Sequence, residues 1–195
     1  MSHSNVIIVG GGCAGISVAS RINNLKSDLS ISIIEPSEKS LYQAAWTLVG
    51  AGAYNVDNTI KPMSKVMPNY VNWIKEHAEE FIPESNSVKT NNGTYTYDYL
   101  IVCPGLKINL DGVAGLKENL GKNNICTNYS AEMATYTWEC LKNLDGGTLL
   151  FTEPPMPIKC AGAPQKIAYL AADHLKKKGK LSESHLEFLC AKPVI

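Results

Sequence analysis

Six residues, Gly10-Gly-Gly-Cys-Ala-Gly15, constrain this chain more than any others. They follow the apolar, β-branched run Val6-Ile-Ile-Val9, whose composition predicts a buried strand. They precede residues 14–23, where Ile16, Ala19 and Ile22 fall on one helical face and Asn23-Asn24 ends the pattern. A second strand is predicted over 29–34, closed by Glu35-Pro36. Two strands joined by a helix form a βαβ unit and imply an α/β sheet. The turn itself matches G-x-G-x-x-G. Gly10 allows the tight bend, Gly12 lets the backbone approach a pyrophosphate, and Gly15 lets helix and strand pack closely. Cys13 lies in the turn and Ala14 begins the helix, whose unpaired N–H groups attract the diphosphate. A carboxylate at Glu35 is placed to accept hydrogen bonds from ribose hydroxyls. A dinucleotide ligand follows, and NAD and FAD share the fingerprint.

The rest of the chain reads as a longer α/β pattern. Residues 41–53 carry Tyr42, Gln43, Trp46 and the small residues Gly50, Ala51 and Gly52. A short helix is predicted over 60–66, ending before Pro68. Residues 72–78 roughly alternate, and strands at 87–90 and 94–97 flank Asn91-Asn-Gly93 as a hairpin. A further buried strand, 99–103, stops at Pro104-Gly105. A loop with Asp111-Gly112 and Gly115 follows and reads as a linker. Helix 131–143, strand 148–152, helix 162–178 stopped by Gly179, and strand 186–190 complete the pattern. The expected fold is a Rossmann-like dinucleotide-binding domain over 1–110, then an incomplete second Rossmann-like domain over 111–195.

The second unit departs from the first at its turn, Thr152-Glu-Pro-Pro-Met-Pro-Ile-Lys-Cys160. Prolines without a glycine before Gly162 cannot form a pyrophosphate cradle. In its place stands Cys160, beside Lys159 and just ahead of a helix N-terminus, a setting that favours the thiolate. Thiol chemistry next to the first dinucleotide is therefore expected, rather than hydride delivery from a second one.

Composition removes several classes. Formal net charge is +0 and Arg21 is the single arginine, so no nucleic-acid partner is expected. Lys176, Lys177, Lys178 and Lys180 form the densest basic patch. The patch reads as a solvated helix end, where cations suit the macrodipole, with contact to anionic lipid as the alternative. No stretch approaches the roughly 18 to 20 apolar residues of a membrane span. MSHSN runs directly into the first strand, with no visible signal peptide or presequence. The six cysteines include no C-x-x-C pair, which predicts no metal site and fits a reducing compartment. Cys126, Cys140 and Cys190 are expected to be inert buried thiols, and Cys13 a small spacer. The triplets Asn92-Gly-Thr and Asn128-Tyr-Ser are expected to be chance matches to the glycosylation signal.

Four segments carry a family resemblance. Residues 99–105, YLIVCPG, resemble the apolar strand ending in Ala-Thr-Gly of FAD-dependent disulfide-reductase relatives, which favours FAD. PIKCAGAPQK at 157–166, with YQAAWTLVGAG at 42–52 and GGGCAG at 10–15, resembles the mitochondrial type of sulfide:quinone oxidoreductase. The resemblance implies FAD, sulfide and ubiquinone as substrates, a sulfur acceptor such as glutathione, and peripheral attachment to the mitochondrial inner membrane. It implies two redox cysteines, of which Cys160 matches the one that engages the flavin. It also implies FAD contacts at Glu35, Gln43, the backbone of Ala78 and Gly105. Tyr42 and Trp46 are read either as contacts or as core aromatics, and Gln165 and Lys166 as helix-start residues.

The resemblance further implies members about twice this length. A second redox cysteine, a Gly-Asp return segment and C-terminal amphipathic helices would lie past Ile195. The chain is accordingly expected to be a fragment of such an enzyme. The alternatives are an inactive flavin-binding remnant or an NADH:quinone or ferredoxin-type reductase.

Overall fold

The computed structural model describes residues 2–26 and 28–191; Met1, Ser27 and residues 192–195 lie outside the described residues. In chain order the elements begin β1 (Ser2–Val9), α1 (Cys13–Leu25), β2 (Ile31–Ile34), β3 (Lys39–Leu41), α2 (Trp46–Gly50), β4 (Ile60–Pro62) and α3 (Met63–Val66). Then come β5 (Val71–Ile74), β6 (Ala78–Ile82), β7 (Ser87–Thr90), β8 (Thr94–Val102) and α4 (Leu116–Asn119). The series closes with α5 (Ala131–Asn143), β9 (Gly147–Glu153), α6 (Ala163–Lys177) and β10 (Ser184–Cys190).

Contacts divide the chain into two units, one holding the chain up to Leu41 with Ile60–Lys107, the other Tyr42–Thr59 with the chain from Ile108 onward. In the first unit a sheet runs in the order β5-β2-β1-β8-β7-β6. β1 pairs in parallel with β2 and β8, β2 pairs in parallel with β5, and β7 pairs antiparallel with β6 and β8. Alternate β1 residues feed two cores. Ile7 and Val9 join Ile34, Ile74, Val88 and Tyr97, while Val6 and Ile8 join Ala19, Ile31 and Ile33. Burial on both faces is why residues 6–9 of β1 are continuously apolar rather than alternating.

Three local expectations change. Residues 60–66 are not one helix: Ile60–Pro62 pairs antiparallel with β3, and only Met63–Val66 is helical. Pro62 explains the split, because its ring disfavours helical backbone at Lys61. The strands expected at 94–97 and 99–103 are one strand, β8, whose pairing with β1 spans the Asp98 position. Tyr99 on it is 66% exposed, so this stretch is not fully buried. The alternating stretch 72–78 is two strands, β5 and the start of β6.

In the second unit β9 and β10 pair in parallel, and Ser130 caps α5 by accepting the Met133 N–H at 3.1 Å. The end of α6 is closed by Gly179 (φ +74°), with the Lys180 N–H donating to the Leu175 carbonyl at 2.8 Å. That is the Schellman pattern. The unit differs from the expected 111–195 span by including Tyr42–Thr59. Trp46 and Val49 of that segment bury against Ala134 of α5. Gly52 lies flat on Trp138, leaving no space for a side chain.

Candidate functional site

Why glycine occupies the first turn is visible in its contacts. Gly10 has φ +103°, a value L side chains rarely adopt, and a Cβ there would overlap the Cys103 carbonyl. A Cβ on Gly15 would overlap the Gly10 carbonyl. Gly12 is different: its backbone is extended and a Cβ would meet nothing within 4 Å. Space therefore opens over Gly12, at the start of α1, which has no side-chain cap and no acid in its first turn. Open space over bare N–H groups is what a pyrophosphate requires, so these residues fit the expected dinucleotide. Cys13, exposed, and Ala14 are the first helical residues. Glu35 closes the far side of the turn. Its Oε2 accepts the Gly11 N–H at 2.8 Å and its Oε1 accepts the Ser37 N–H at 2.7 Å.

The other expected contacts lie on different elements. Ala78 opens β6 and packs on the core of the first unit. Gly105 (φ +74°) follows β8 in open space. Gln43 is exposed, in a 3-10 turn of the second unit. Trp46 is a core residue: it is buried and its Nε1 donates to Thr59 Oγ1 at 3.1 Å. Tyr42 beside it is exposed.

Cys160 lies between β9 and α6, exposed, with φ +55°. Among the described residues, the other non-glycine positions with positive φ are Asn86, Asn123 and Asn124, a type that tolerates this region. Cysteine does not, so the strain of about 1–3 kcal/mol falls on the residue expected to react. Tyr129 fixes the turn by donating its hydroxyl to the Lys159 carbonyl at 2.8 Å. Burial first, then the charges of Cys160 and Glu153, pushes the Tyr129 phenol up, which keeps it a donor.

The pyridine nucleotide-disulphide oxidoreductase model matches residues 4–137. The chain belongs to that family. It is 43% identical over 188 residues to the mitochondrial sulfide:quinone oxidoreductase of Dictyostelium discoideum, covering 95% of this chain and 42% of the relative. The mitochondrial sulfide:quinone oxidoreductase of Mus musculus is 37% identical over 188 residues, covering 96% of this chain and 42% of the relative. Among solved structures, the sulfide:quinone oxidoreductase of Aquifex aeolicus superposes with a TM-score of 0.80 at 27% identity, over 99% of this chain and 44% of that one. The chain thus spans under half the length of the relatives it matches.

Within this family member, two neighbours of Cys160 escape sequence reasoning. The expected partner Lys159 contributes its carbonyl, while Lys166 brings Nζ to 3.6 Å from the Cys160 sulfur. The signal was present: side chains in a first helical turn lean back over the preceding loop. Tyr129, far from Cys160 in sequence, left no such signal. Two of the remaining cysteines, Cys126 and Cys140, line a cavity of about 430 Å³ between α5, β9 and α6. Burial, as the largest cause, pushes the Cys126 thiol up, as expected of an unreactive thiol. The basic patch is largely committed. Lys178 Nζ donates to the Lys142 and Leu144 carbonyls, Lys177 pairs with Asp173, and Lys180 pairs with Asp145 and Glu183.

Proposed function

We propose that this chain belongs to a sulfide:quinone oxidoreductase, with residues 1–110 as its FAD-binding domain and 111–195 carrying the redox cysteine. Gly10, Gly12, Cys13, Ala14, Gly15 and Glu35 bind the FAD pyrophosphate and ribose, and Gln43, Ala78 and Gly105 supply further contacts. Cys160 is the catalytic thiol. One observation carries this reading: where a second nucleotide-binding turn would need glycines, a proline-bracketed turn presents an exposed cysteine in strained backbone. The similarity to sulfide:quinone oxidoreductases supports it.

The overall chemistry balances as H2S plus a thiol plus a quinone giving a persulfide plus a quinol. Sulfur loses two electrons and the quinone gains two electrons and two protons. FAD, when bound, supplies the two-electron acceptor between them. The protein's part is to present the Cys160 sulfur, hold the turn through Tyr129, and keep a cation beside the sulfur. Ubiquinone is the acceptor, glutathione or a similar thiol takes the sulfane sulfur, and the whole protein sits peripherally at the mitochondrial inner membrane. No helix among the described residues is long and apolar enough to cross a membrane.

The test is Cys160→Ser in the flavin-loaded protein under anaerobic conditions. Sulfide should bleach the wild-type flavin and leave the variant's flavin bound and oxidised. Sulfide-dependent bleaching retained in the variant, or stoichiometric bleaching of wild type by NADH, would overturn the reading.

A further inference from the structure

We propose, resting on the reading of Cys160 above, that Lys166 is the counter-ion of the Cys160 sulfur and acts by its charge. Lys166 lies in the first turn of α6, where its N–H donates to the Gly162 carbonyl at 3.0 Å. A side chain there leans back toward the helix start, and Lys166 Nζ comes to 3.6 Å from Sγ. Two features hold the sulfur in that position. Cys160 takes a left-handed backbone conformation, and its carbonyl accepts the Ala163 N–H at 2.9 Å, which ties it to the helix start. On the other flank, Tyr129 grips the Lys159 carbonyl. Gly162, between the two residues, has no side chain to separate them, and a Cβ there would already reach Lys166 Cε at 4.0 Å. An ammonium in contact with sulfur stabilises negative charge there by direct attraction, and that attraction weakens with salt because the pair is exposed. Sulfur chemistry at Cys160 proceeds through the electron pair on Sγ, so Lys166 bears on how fast any electrophile is attacked.

The experiment measures alkylation of Cys160 by iodoacetamide in the flavin-loaded protein, followed by peptide mass spectrometry. Sulfur's electron pair forms the S–C bond and iodide leaves. The reagent is uncharged, so salt acts on the protein's own charges, and a small free thiol added to each reaction serves as the reference. Lys166→Met should slow Cys160 about threefold to tenfold at low salt and abolish the salt dependence seen in wild type. Lys166→Arg should restore both. The reference thiol should react equally alongside all three proteins. A Lys166→Met protein with wild-type rate and salt dependence overturns the proposal. So does slowing that Lys166→Arg fails to rescue, since that would mean shape rather than charge. Failure of the sulfide reading is separate: it appears as flavin bleaching that survives Cys160→Ser, whatever Lys166 does to alkylation.

Discussion

The Gly11 N–H donates to Glu35 Oε2 at 2.8 Å, so one carboxylate ties the glycine turn to the end of β2. Its second oxygen accepts from Ser37, and each oxygen keeps a lone pair for a ribose hydroxyl. Glu35→Ala should therefore do two things at once. It should lower stability by about 1–3 kcal/mol by removing the acceptor of two backbone donors, and it should lower the flavin-to-protein ratio. Glu35→Gln keeps one acceptor and should lose less of both. Urea unfolding and the absorbance ratio measure the pair; an alanine variant unchanged in either would break the proposed link.

The glycines of that turn should separate folding from binding. Gly15→Ala drives a Cβ into the Gly10 carbonyl and should cost about 2–4 kcal/mol. Gly12→Ala meets open space in an extended backbone and should change stability by less than about 0.5 kcal/mol. Yet it fills the approach to the pyrophosphate, so flavin retention should fall. Equal flavin content in Gly12→Ala and wild type would count against this turn as the cofactor site.

Local pattern explains what the chain discloses and what it withholds. The βαβ start, α5 and α6 are legible because one run of residues contains both the periodicity and its stop signals, as at Gly179. The division of 60–66 was also legible in principle, from Pro62 alone. The continuity of β8 through Asp98 was not, because it depends on β1 pairing on one side and β7 on the other. The packing of Trp46 against α5 likewise depends on a partner remote in sequence. At the cysteine turn, Cys160 stood out by replacing glycine, but its contacts did not. Lys159 was the nearer lysine in sequence, and helix geometry chose Lys166.

Tyr129→Phe should loosen the cysteine turn. It removes the hydroxyl from the Lys159 carbonyl, a loss of about 1 kcal/mol. Hydrogen exchange around residues 157–162 should quicken while α5 stays protected. The phenol also gives an alkaline signature. Burial, with the charges of Cys160 and Glu153, raises its pKa above the ordinary 10.0, so the folded state holds the proton more tightly than the unfolded state. Stability from this group is therefore intact below about pH 10 and lost as pH rises toward the folded value. Wild type should lose stability there more steeply than Tyr129→Phe; identical alkaline slopes would contradict it.

Lys178 should behave unlike its neighbours in the basic patch. Its ammonium donates to the Lys142 carbonyl at 3.2 Å and the Leu144 carbonyl at 2.6 Å, at the end of α5, where orphan carbonyls and the helix dipole both favour a cation. Lys178→Met leaves those carbonyls to water and should cost about 1 kcal/mol. Lys177→Met removes only an exposed pair with Asp173, and should cost less than about 0.5 kcal/mol. If the patch instead served anionic lipid, both substitutions would weaken binding to phosphatidylserine vesicles about equally, and neither would stand out in stability. Thermal unfolding and vesicle co-sedimentation on the same two variants decide between these outcomes. A stability loss confined to Lys178→Met, with no vesicle binding to lose, identifies the lysine as a fastener of α5.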